Sequence, residues 1–268
     1  MRAAPGRIRK REGLSKIFDA LRKAERERSG GKQKGKGRSR TPQRPDEERE
    51  KTFLRGTDPD FRRSLLNLRN SIDSAMKGVE SRVIMFTSAV RGEGKTTITA
   101  FLARLLALGE SDRVLLVDCA VDGPEVHVLF GVENDKGILD LLSGEAEFDD
   151  VVRPVDEGVL DVISLGKKRG ADITQPMFNS SRMDGFVKQA AERYDYVLLD
   201  TSAVLEAPET PIIGSYATGT VIIVKAASTK REVIKRAMMM IEKLDGRFIG
   251  TVLNRKKYYI PEFIYRRV

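Results

Sequence analysis

Apolar residues along the chain fall into short continuous runs that alternate with helical patterns. The runs predict six strands, Arg82–Ser88, Arg113–Asp118, Val159–Leu165, Tyr194–Asp200, Thr220–Lys225 and Phe248–Asn254. The 3.6-residue spacing of apolar positions predicts helices at Thr96–Leu108, Met183–Arg193 and Arg231–Leu244. Continuously apolar strands separated by helices are typical of a parallel sheet covered on both faces. The pattern therefore predicts a doubly wound, mostly parallel α/β sheet, with ligands bound beyond the carboxyl ends of the strands.

The first sixty residues do not follow this alternation. A short amphipathic helix is predicted there by four apolar residues at helical spacing, Leu14, Ile17, Phe18 and Leu21. Residues 29–45 are rich in Gly, Lys, Arg, Ser and Pro and bury too little apolar surface to order themselves, so we expect a flexible basic linker. A second amphipathic helix is predicted by Phe61, Leu65, Leu68 and Ile72. We therefore predict a basic N-terminal segment, residues 1–60, and an α/β domain with a C-terminal tail, residues 61–268.

The N-terminal segment carries the whole excess of positive charge. The chain has 48 Lys and Arg, 39 Asp and Glu and a net charge of +9, and residues 1–60 hold 19 of the basic and 10 of the acidic residues. The rest is therefore neutral overall, which argues against a general nucleic-acid-binding surface on the α/β domain. The segment has three interpretations: a solvated tail, a contact with an anionic membrane surface or membrane protein, or a nucleic-acid contact. Nucleic acid is the least favoured, because no base-stacking aromatic residues alternate with the charges.

Cysteine content and hydropathy bear on the compartment. Cys119 is the single cysteine, so no internal disulfide can form and a reducing compartment is favoured. No apolar run approaches the ~18 residues of a membrane-spanning helix, and the N-terminus lacks the apolar core of a secretory signal. We expect the protein to stay in the cytosol.

A glycine-rich motif between the first strand and the first helix of the domain predicts phosphate binding. The segment Ala89-Val-Arg-Gly-Glu-Gly-Lys-Thr96 fits the P-loop pattern, with alanine in place of the first glycine. In a P-loop, backbone N–H groups curl around phosphate oxygens, and the helix N-terminus adds partial positive charge. Lys95 supplies a charge to the outer phosphates, and the Thr96 hydroxyl can bind Mg²⁺. We therefore predict an ATP and Mg²⁺ site formed by Gly92, Glu93, Gly94, Lys95, Thr96 and Thr97.

Two more strands end in aspartate. Asp118 follows the apolar run of the second strand, and Asp200 follows Tyr196-Val-Leu-Leu. Each residue alone is more often a strand-end cap or a turn residue. Beside a P-loop, a carboxylate just past a buried strand is placed to hold Mg²⁺ directly or through water. We therefore predict that both aspartates belong to the nucleotide site.

Several motifs together resemble one family. They are Ser88–Thr97, Leu115–Asp118, Pro124–His127 with Leu129 and Phe130, Gly137–Gly144, Tyr194–Thr201 and Val252–Arg255. From about Phe61 to Arg255, the chain resembles the bacterial tyrosine kinases (BY-kinases) of capsule and exopolysaccharide synthesis, which are related to the MinD/ParA P-loop ATPases. The resemblance implies autophosphorylation of a C-terminal tyrosine cluster within an oligomeric ring. It also implies a membrane adaptor protein of the polysaccharide co-polymerase type, and a cytoplasmic, peripheral location at the inner face of the plasma membrane.

The resemblance also assigns roles to single residues. Lys95 and Thr96 bind phosphate and Mg²⁺, Asp200 helps to hold the metal, and Asp118 takes the tyrosine proton or orders the metal shell. Two further residues, Asn254 and Arg255, are expected near the adenine. The expected phosphate acceptors are Tyr258, Tyr259 and Tyr265. The same tyrosines are equally compatible with a C-terminal strand extension in which the aromatic rings pack.

Three departures from the family pattern keep a second hypothesis open. The Asp-x-Asp motif of the family ends here in Ala120, and Asp122 is two residues beyond the missing carboxylate. The Glu-x-x-Arg-x-x-Arg ring motif aligns with Arg63, Leu66 and Arg69, so only its last position is retained. Arg91 replaces a P-loop proline. Arg91 adds a charge near the phosphates and is compatible with binding. The first two changes favour the alternative of a nucleotide-dependent switch ATPase of the MinD/ParA type, or a degenerate kinase, without tyrosine phosphorylation.

Overall fold

The computed structural model describes residues 58–109, 112–155, 160–167 and 176–255. The chain divides into two units, residues 1–64 and 65–268. Of the first unit, the structure describes residues 58–64, which form the start of helix α1 (Pro59–Ala75). The predicted N-terminal helix, the basic linker and the three tail tyrosines lie outside the described residues.

A single sheet runs through the second unit. In the described ranges it has seven strands: β1 (Arg82–Ser88), β2 (Val114–Cys119), β3 (Val152–Val155), β4 (Leu160–Ile163), β5 (Tyr196–Thr201), β6 (Gly219–Lys225) and β7 (Phe248–Asn254). Their order across the sheet is β3-β4-β2-β5-β1-β6-β7. Every neighbouring pair is parallel except β3 and β4. The predicted doubly wound, mostly parallel α/β fold is confirmed.

Helices cover both faces of this sheet. After α1, those with described bounds are α2 (Lys95–Ala107), α3 (Val126–Phe130), α4 (Ile138–Ser143), α5 (Phe148–Val151), α6 (Ser181–Arg193), α7 (Glu209–Tyr216) and α8 (Arg231–Glu242). Val83 and Met85 of β1 belong to a buried cluster with Phe186 of α6 and Ile241 of α8. Because side chains alternate along a strand, the neighbouring residues of β1 face the other side, where α2 packs. None of the helices in the described ranges has the length and hydrophobicity needed to cross a bilayer.

The elements absent from the sequence prediction are the short or atypical ones. Strand β3 has four residues, contains Pro154 and lies at the sheet edge, where a missing N–H donor is tolerated. Helix α7 follows Pro208 and is buried at most of its positions, so it has no amphipathic period. The strands and helices predicted within the described residues all occur, with ends that differ by at most two residues where both bounds are described.

Helix α1 is attached to the sheet by apolar burial and by a polar cluster. Leu65 and Ile72 are buried, and the hydroxyl of Tyr196 at the start of β5 donates a hydrogen bond to the carboxylate of Asp73. The Arg82 guanidinium lies 4.9 Å from the centre of the Tyr196 ring. Burial, together with the bond to Asp73, raises the pKa of Tyr196 to about 12. The cluster therefore keeps the Tyr196 phenol protonated, and it attaches α1 to the first residues of β1 and β5.

Replacement of Asp73 by alanine is expected to lower the free energy of unfolding by about 1–3 kcal/mol. The hydroxyl of the buried Tyr196 loses its acceptor, and Arg82 loses an anion 3.9 Å away. Thermal unfolding should show a drop of several degrees. The control is Lys188→Ala, which removes an exposed ion pair with Asp184, and exposed pairs contribute little. Equal melting temperatures for the two variants would contradict the structural role of Asp73.

Candidate functional site

The P-loop connects the end of β1 to the start of α2. Gly92 and Gly94 have φ angles of 84° and 90°, a left-handed conformation that favours glycine. Helix α2 begins at Lys95, and its N-cap residue is Gly94, which has no side chain to cap the helix. The first N–H groups of a helix need partners from outside the helix, and an anion is a suitable one. The structure therefore places Lys95, Thr96 and Thr97 in the first turn of an uncapped helix, as the P-loop prediction requires.

Glu93 contacts its own chain. Its buried carboxylate accepts hydrogen bonds from the backbone N–H groups of Val90 and Lys225 and from the Thr229 hydroxyl. The amide nitrogen of Asn254, at the end of β7, donates to the Glu93 carbonyl over 2.7 Å. A nucleotide contact by Glu93 would therefore come from its backbone.

The end of β7 lies beside this loop. Asn254 approaches Gly94 so closely that a Cβ at residue 94 would collide with the Asn254 amide. The Arg255 N–H donates to the Asn254 side chain over 2.8 Å, and Arg255 has a φ angle of 57°. Strand pairing thus brings both residues next to the P-loop, although about 160 residues separate the two segments.

The two predicted aspartates lie side by side. In the parallel pairing of β2 with β5, Asp118 is the register partner of Asp200, and neighbouring strands are only ~4.8 Å apart. Both side chains are fully buried. The sequence prediction that these strand ends meet beside the P-loop matches the geometry, since β5 also pairs with β1.

Asp118 is held by backbone donors. Its two oxygens each accept a 3.0 Å hydrogen bond, one from the N–H of Ala120 and one from the N–H of Val126. Burial, followed by the nearby charge of Asp200, raises the pKa of Asp118 to about 8, and the two backbone bonds only partly oppose this rise. Burial, followed by the charges of Asp118 and Asp200, raises the pKa of the Cys119 thiol well above its ordinary value, which keeps this cysteine protonated.

Asp200 lacks a hydrogen-bond partner in the part of the chain that the structure describes. Among the described residues, no donor meets hydrogen-bond geometry with either of its carboxylate oxygens. Burial, with a smaller contribution from the charge of Glu125, raises the pKa of Asp200 to about 7, although the charge of Lys95 and the nearby Thr96 hydroxyl oppose this rise. A buried carboxylate without donors is stabilised by a cation.

The donor set fits Mg²⁺. A carboxylate and a threonine hydroxyl beside a phosphate site are oxygen ligands, and Mg²⁺ is usually bound by one or two carboxylates together with phosphate oxygens and water. In the described ranges, no group of three or more His, Cys, Asp or Glu residues is arranged to hold a metal ion. A metal here would therefore depend on the nucleotide for part of its shell.

The third carboxylate considered from the sequence, Asp122, is already engaged. The Arg91 guanidinium donates to the Asp122 carbonyl over 3.0 Å and lies 3.7 Å from its carboxylate. The Arg91 N–H donates to Glu206 of the loop after β5. Arg91 thus links the P-loop to the loops after β2 and β5. Local patterns could not reveal these contacts, because the partners are 31 and 115 residues away.

Comparison with known proteins assigns this fold and P-loop to a family. The family profile described as the CobQ/CobB/MinD/ParA nucleotide binding domain matches residues 84–259, about two thirds of the chain. The chain belongs to this family. Nucleotide binding is therefore a property of this MinD/ParA-type domain, and the relationship inferred from the motifs is confirmed.

Named tyrosine kinases are among the relatives of this MinD/ParA-type chain. The tyrosine-protein kinase YwqD of Bacillus subtilis is 29% identical over 190 residues, which cover 71% of this chain and 79% of YwqD. The tyrosine-protein kinase wzc of Salmonella typhimurium is 27% identical over 191 residues, which cover 71% of this chain but 26% of wzc. The kinase domain of the Escherichia coli tyrosine kinase ETK has the same fold, with a TM-score of 0.67, 24% identity and coverage of 73% of this chain and 77% of that one. The resemblance to bacterial tyrosine kinases is confirmed at this level.

Replacement of Asp200 by asparagine is expected to stabilise the nucleotide-free protein at pH 8. A raised carboxyl pKa means that the folded state binds a proton more tightly than the unfolded state, so stability falls as pH rises from about 4 toward 8. Asparagine stays neutral, and Asp200 has no hydrogen bonds to lose. The gain should be on the order of 2 kcal/mol at pH 8 and should vanish near pH 4.

Melting temperatures measured from pH 4 to 8.5 without nucleotide test this expectation. Asp122→Asn serves as the control, since Asp122 is exposed and its variant should follow the wild-type profile. A difference between Asp200→Asn and wild type that does not change with pH would contradict the burial argument.

Proposed function

We propose that the protein is an ATP-dependent protein-tyrosine autokinase that acts in exopolysaccharide or capsule synthesis or export. One observation carries the proposal. Lys95 lies near two buried carboxylates, Asp118 and Asp200, at one end of a parallel sheet. That arrangement occurs in a chain similar to named tyrosine kinases.

Binding and orientation of ATP are assigned to the P-loop and the start of α2. Lys95 places a positive charge at the outer phosphates, and the backbone N–H groups of residues 92–97 bind phosphate oxygens. The Thr96 hydroxyl and the Asp200 carboxylate would hold Mg²⁺, which would supply positive charge beside the transferred phosphoryl group. Asn254 and Arg255 would lie near the adenine.

Proton transfer is assigned to Asp118. The tyrosine oxygen attacks the γ-phosphorus, the bond to the ADP oxygen breaks, and the phenolic proton must leave. A carboxylate that is held by two backbone N–H groups, with a pKa raised to about 8, is a stronger base than an exposed aspartate. General bases are most effective when the pKa lies near the working pH.

The acceptor tyrosines are assigned to the tail that follows β7. Tyr258 and Tyr259 come three and four residues after Arg255, whose neighbour Asn254 contacts the P-loop. Tyr265 lies further along the same tail. The chain therefore leaves the α/β domain beside a nucleotide site, either its own or that of a neighbouring subunit.

Replacement of Lys95 by alanine is expected to weaken Mg-ATP binding by at least ~10-fold and to abolish tail phosphorylation, because the phosphates lose their main counter-charge. Calorimetry measures the first effect. Mass spectrometry after incubation with Mg-ATP measures the second and should locate phosphate on Tyr258, Tyr259 or Tyr265 in the wild type. Unchanged ATP affinity in the variant would refute the assigned P-loop role.

The second candidate is a nucleotide-dependent switch without phosphate transfer. Ala120 supplies no second carboxylate, and Asp122 is paired with Arg91. A wild-type tail that stays unmodified, in protein shown to bind ATP and supplied with its adaptor, would establish the switch instead of the kinase.

Assembly and partners follow from the same proposal. The kinase hypothesis requires a homo-oligomer and a membrane adaptor of the polysaccharide co-polymerase type, and it assigns no role to nucleic acid. Arg69, the retained position of the ring motif, forms a 3.1 Å ion pair with Asp112 of its own chain and lies 3.8 Å from Asp73. Ring contacts in this protein would therefore rest on other residues.

Deletion of residues 1–55 tests the proposed location at the inner face of the plasma membrane. A basic segment with one predicted short amphipathic helix suits an anionic membrane surface or an acidic partner. The shortened protein should move to the soluble fraction on cell fractionation, while its ATP affinity stays that of the wild type. Equal membrane association with and without the segment would show that it is a solvated tail.

A further inference from the structure

Glu93 is a buried titratable residue that the proposed mechanism does not use. It lies in the middle of the P-loop, between Gly92 and Gly94, and is 1% exposed. We infer that Glu93 is a positioning residue, which holds the P-loop in its binding conformation by connecting it to the ends of β6 and β7. The inference rests on the proposed nucleotide site and is independent of tyrosine phosphorylation.

The first contact closes the loop on itself. One carboxylate oxygen of Glu93 accepts the Val90 N–H over 3.1 Å. The loop contains two glycines in the left-handed region, which add conformational freedom to the unbound chain. A hydrogen bond from residue 90 to residue 93 removes part of that freedom.

The second contact connects the loop to β6 and to the turn that follows it. The other carboxylate oxygen accepts the Lys225 N–H over 2.9 Å and the Thr229 hydroxyl over 2.5 Å. Lys225 ends β6, and Thr229 lies in the turn before α8. Hydrogen bonds to a carboxylate are among the stronger ones in proteins, so this turn and the P-loop are held as one unit.

The third contact comes from β7. The Asn254 amide donates to the Glu93 carbonyl over 2.7 Å, and the Asn254 carbonyl accepts the Ala226 N–H over 2.9 Å. Backbone and side chain of Glu93 are therefore fixed from two adjacent strands. The P-loop is attached on the β6–β7 side by Glu93 and on the β2–β5 side by Arg91.

The negative charge of Glu93 and its role in positioning the P-loop predict opposite effects of Glu93→Gln on nucleotide affinity. A carboxylate beside bound phosphates repels them, so its neutralisation alone would strengthen nucleotide binding. Glutamine has a single acceptor oxygen, so Glu93→Gln would place an NH₂ group against a backbone N–H donor and leave that donor unsatisfied. If the loss of the hydrogen bonds that hold the P-loop outweighs the loss of charge repulsion, the same substitution weakens nucleotide binding. The sign of the change separates the two roles.

The test measures Mg-ADP affinity by calorimetry on the full chain. Glu93→Gln is expected to weaken binding by about 10- to 100-fold, and Thr229→Val by about tenfold, because each removes part of the same set of hydrogen bonds. Thr229→Ser keeps the hydroxyl and should restore the wild-type affinity. Ser228→Ala, at the exposed neighbouring position, is the matched control.

Hydrogen exchange of residues 89–95 provides a second readout, which stays informative if a variant is less stable overall. Faster exchange confined to this segment and to residues 225–229 supports the inference. Equal or tighter Mg-ADP binding by Glu93→Gln would overturn it. So would unchanged affinity in Thr229→Val, since the bridge to the β6 turn would then have no effect. An unmodified tyrosine tail, with both variants weakened toward Mg-ADP, would refute the kinase proposal and leave this inference standing.

Discussion

The position of β5 between β1 and β2 is the constraint on which the site depends. Parallel strands end at the same edge of the sheet, so the P-loop after β1 must lie beside the ends of β2 and β5. The register then places Asp118 opposite Asp200. Both aspartates are strand residues, and the pairing of the apolar residues before them fixes where the two carboxylates lie.

Two buried carboxylates near the P-loop show how differently one chemical group can be used. Glu93 accepts hydrogen bonds from three donors, so its burial adds rigidity to the loop. Asp200 has no hydrogen-bond donor among the described residues and a raised pKa, so its burial lowers the stability of the nucleotide-free protein. A bound cation would offset the cost of burying the Asp200 carboxylate. Rigid backbone beside an unsatisfied anion is the arrangement expected of a preorganised site.

The sequence was sufficient to predict the parts of the molecule that depend on local patterns. Strand β1 and strand β7 have the predicted bounds, since continuous apolar runs mark buried parallel strands. The P-loop and both aspartates were predicted because motif and strand end are adjacent in the chain. The pairs Arg91–Asp122 and Glu93–Thr229 were beyond such reasoning, because folding alone brings these partners together. Glu93 was therefore expected to contact nucleotide, whereas its side chain binds the protein.

The shared burial of Asp118 and Asp200 would couple the proposed cation binding to the release of a proton. Burial and mutual repulsion raise the pKa values of both carboxyl groups, and two adjacent buried carboxyl groups do not readily ionise together, so the pair favours retention of a proton. A cation bound by these carboxylates would displace that proton, so its apparent affinity would rise with pH. The heat of binding then includes protonation of the buffer, and acidification competes with the cation for the same oxygen atoms.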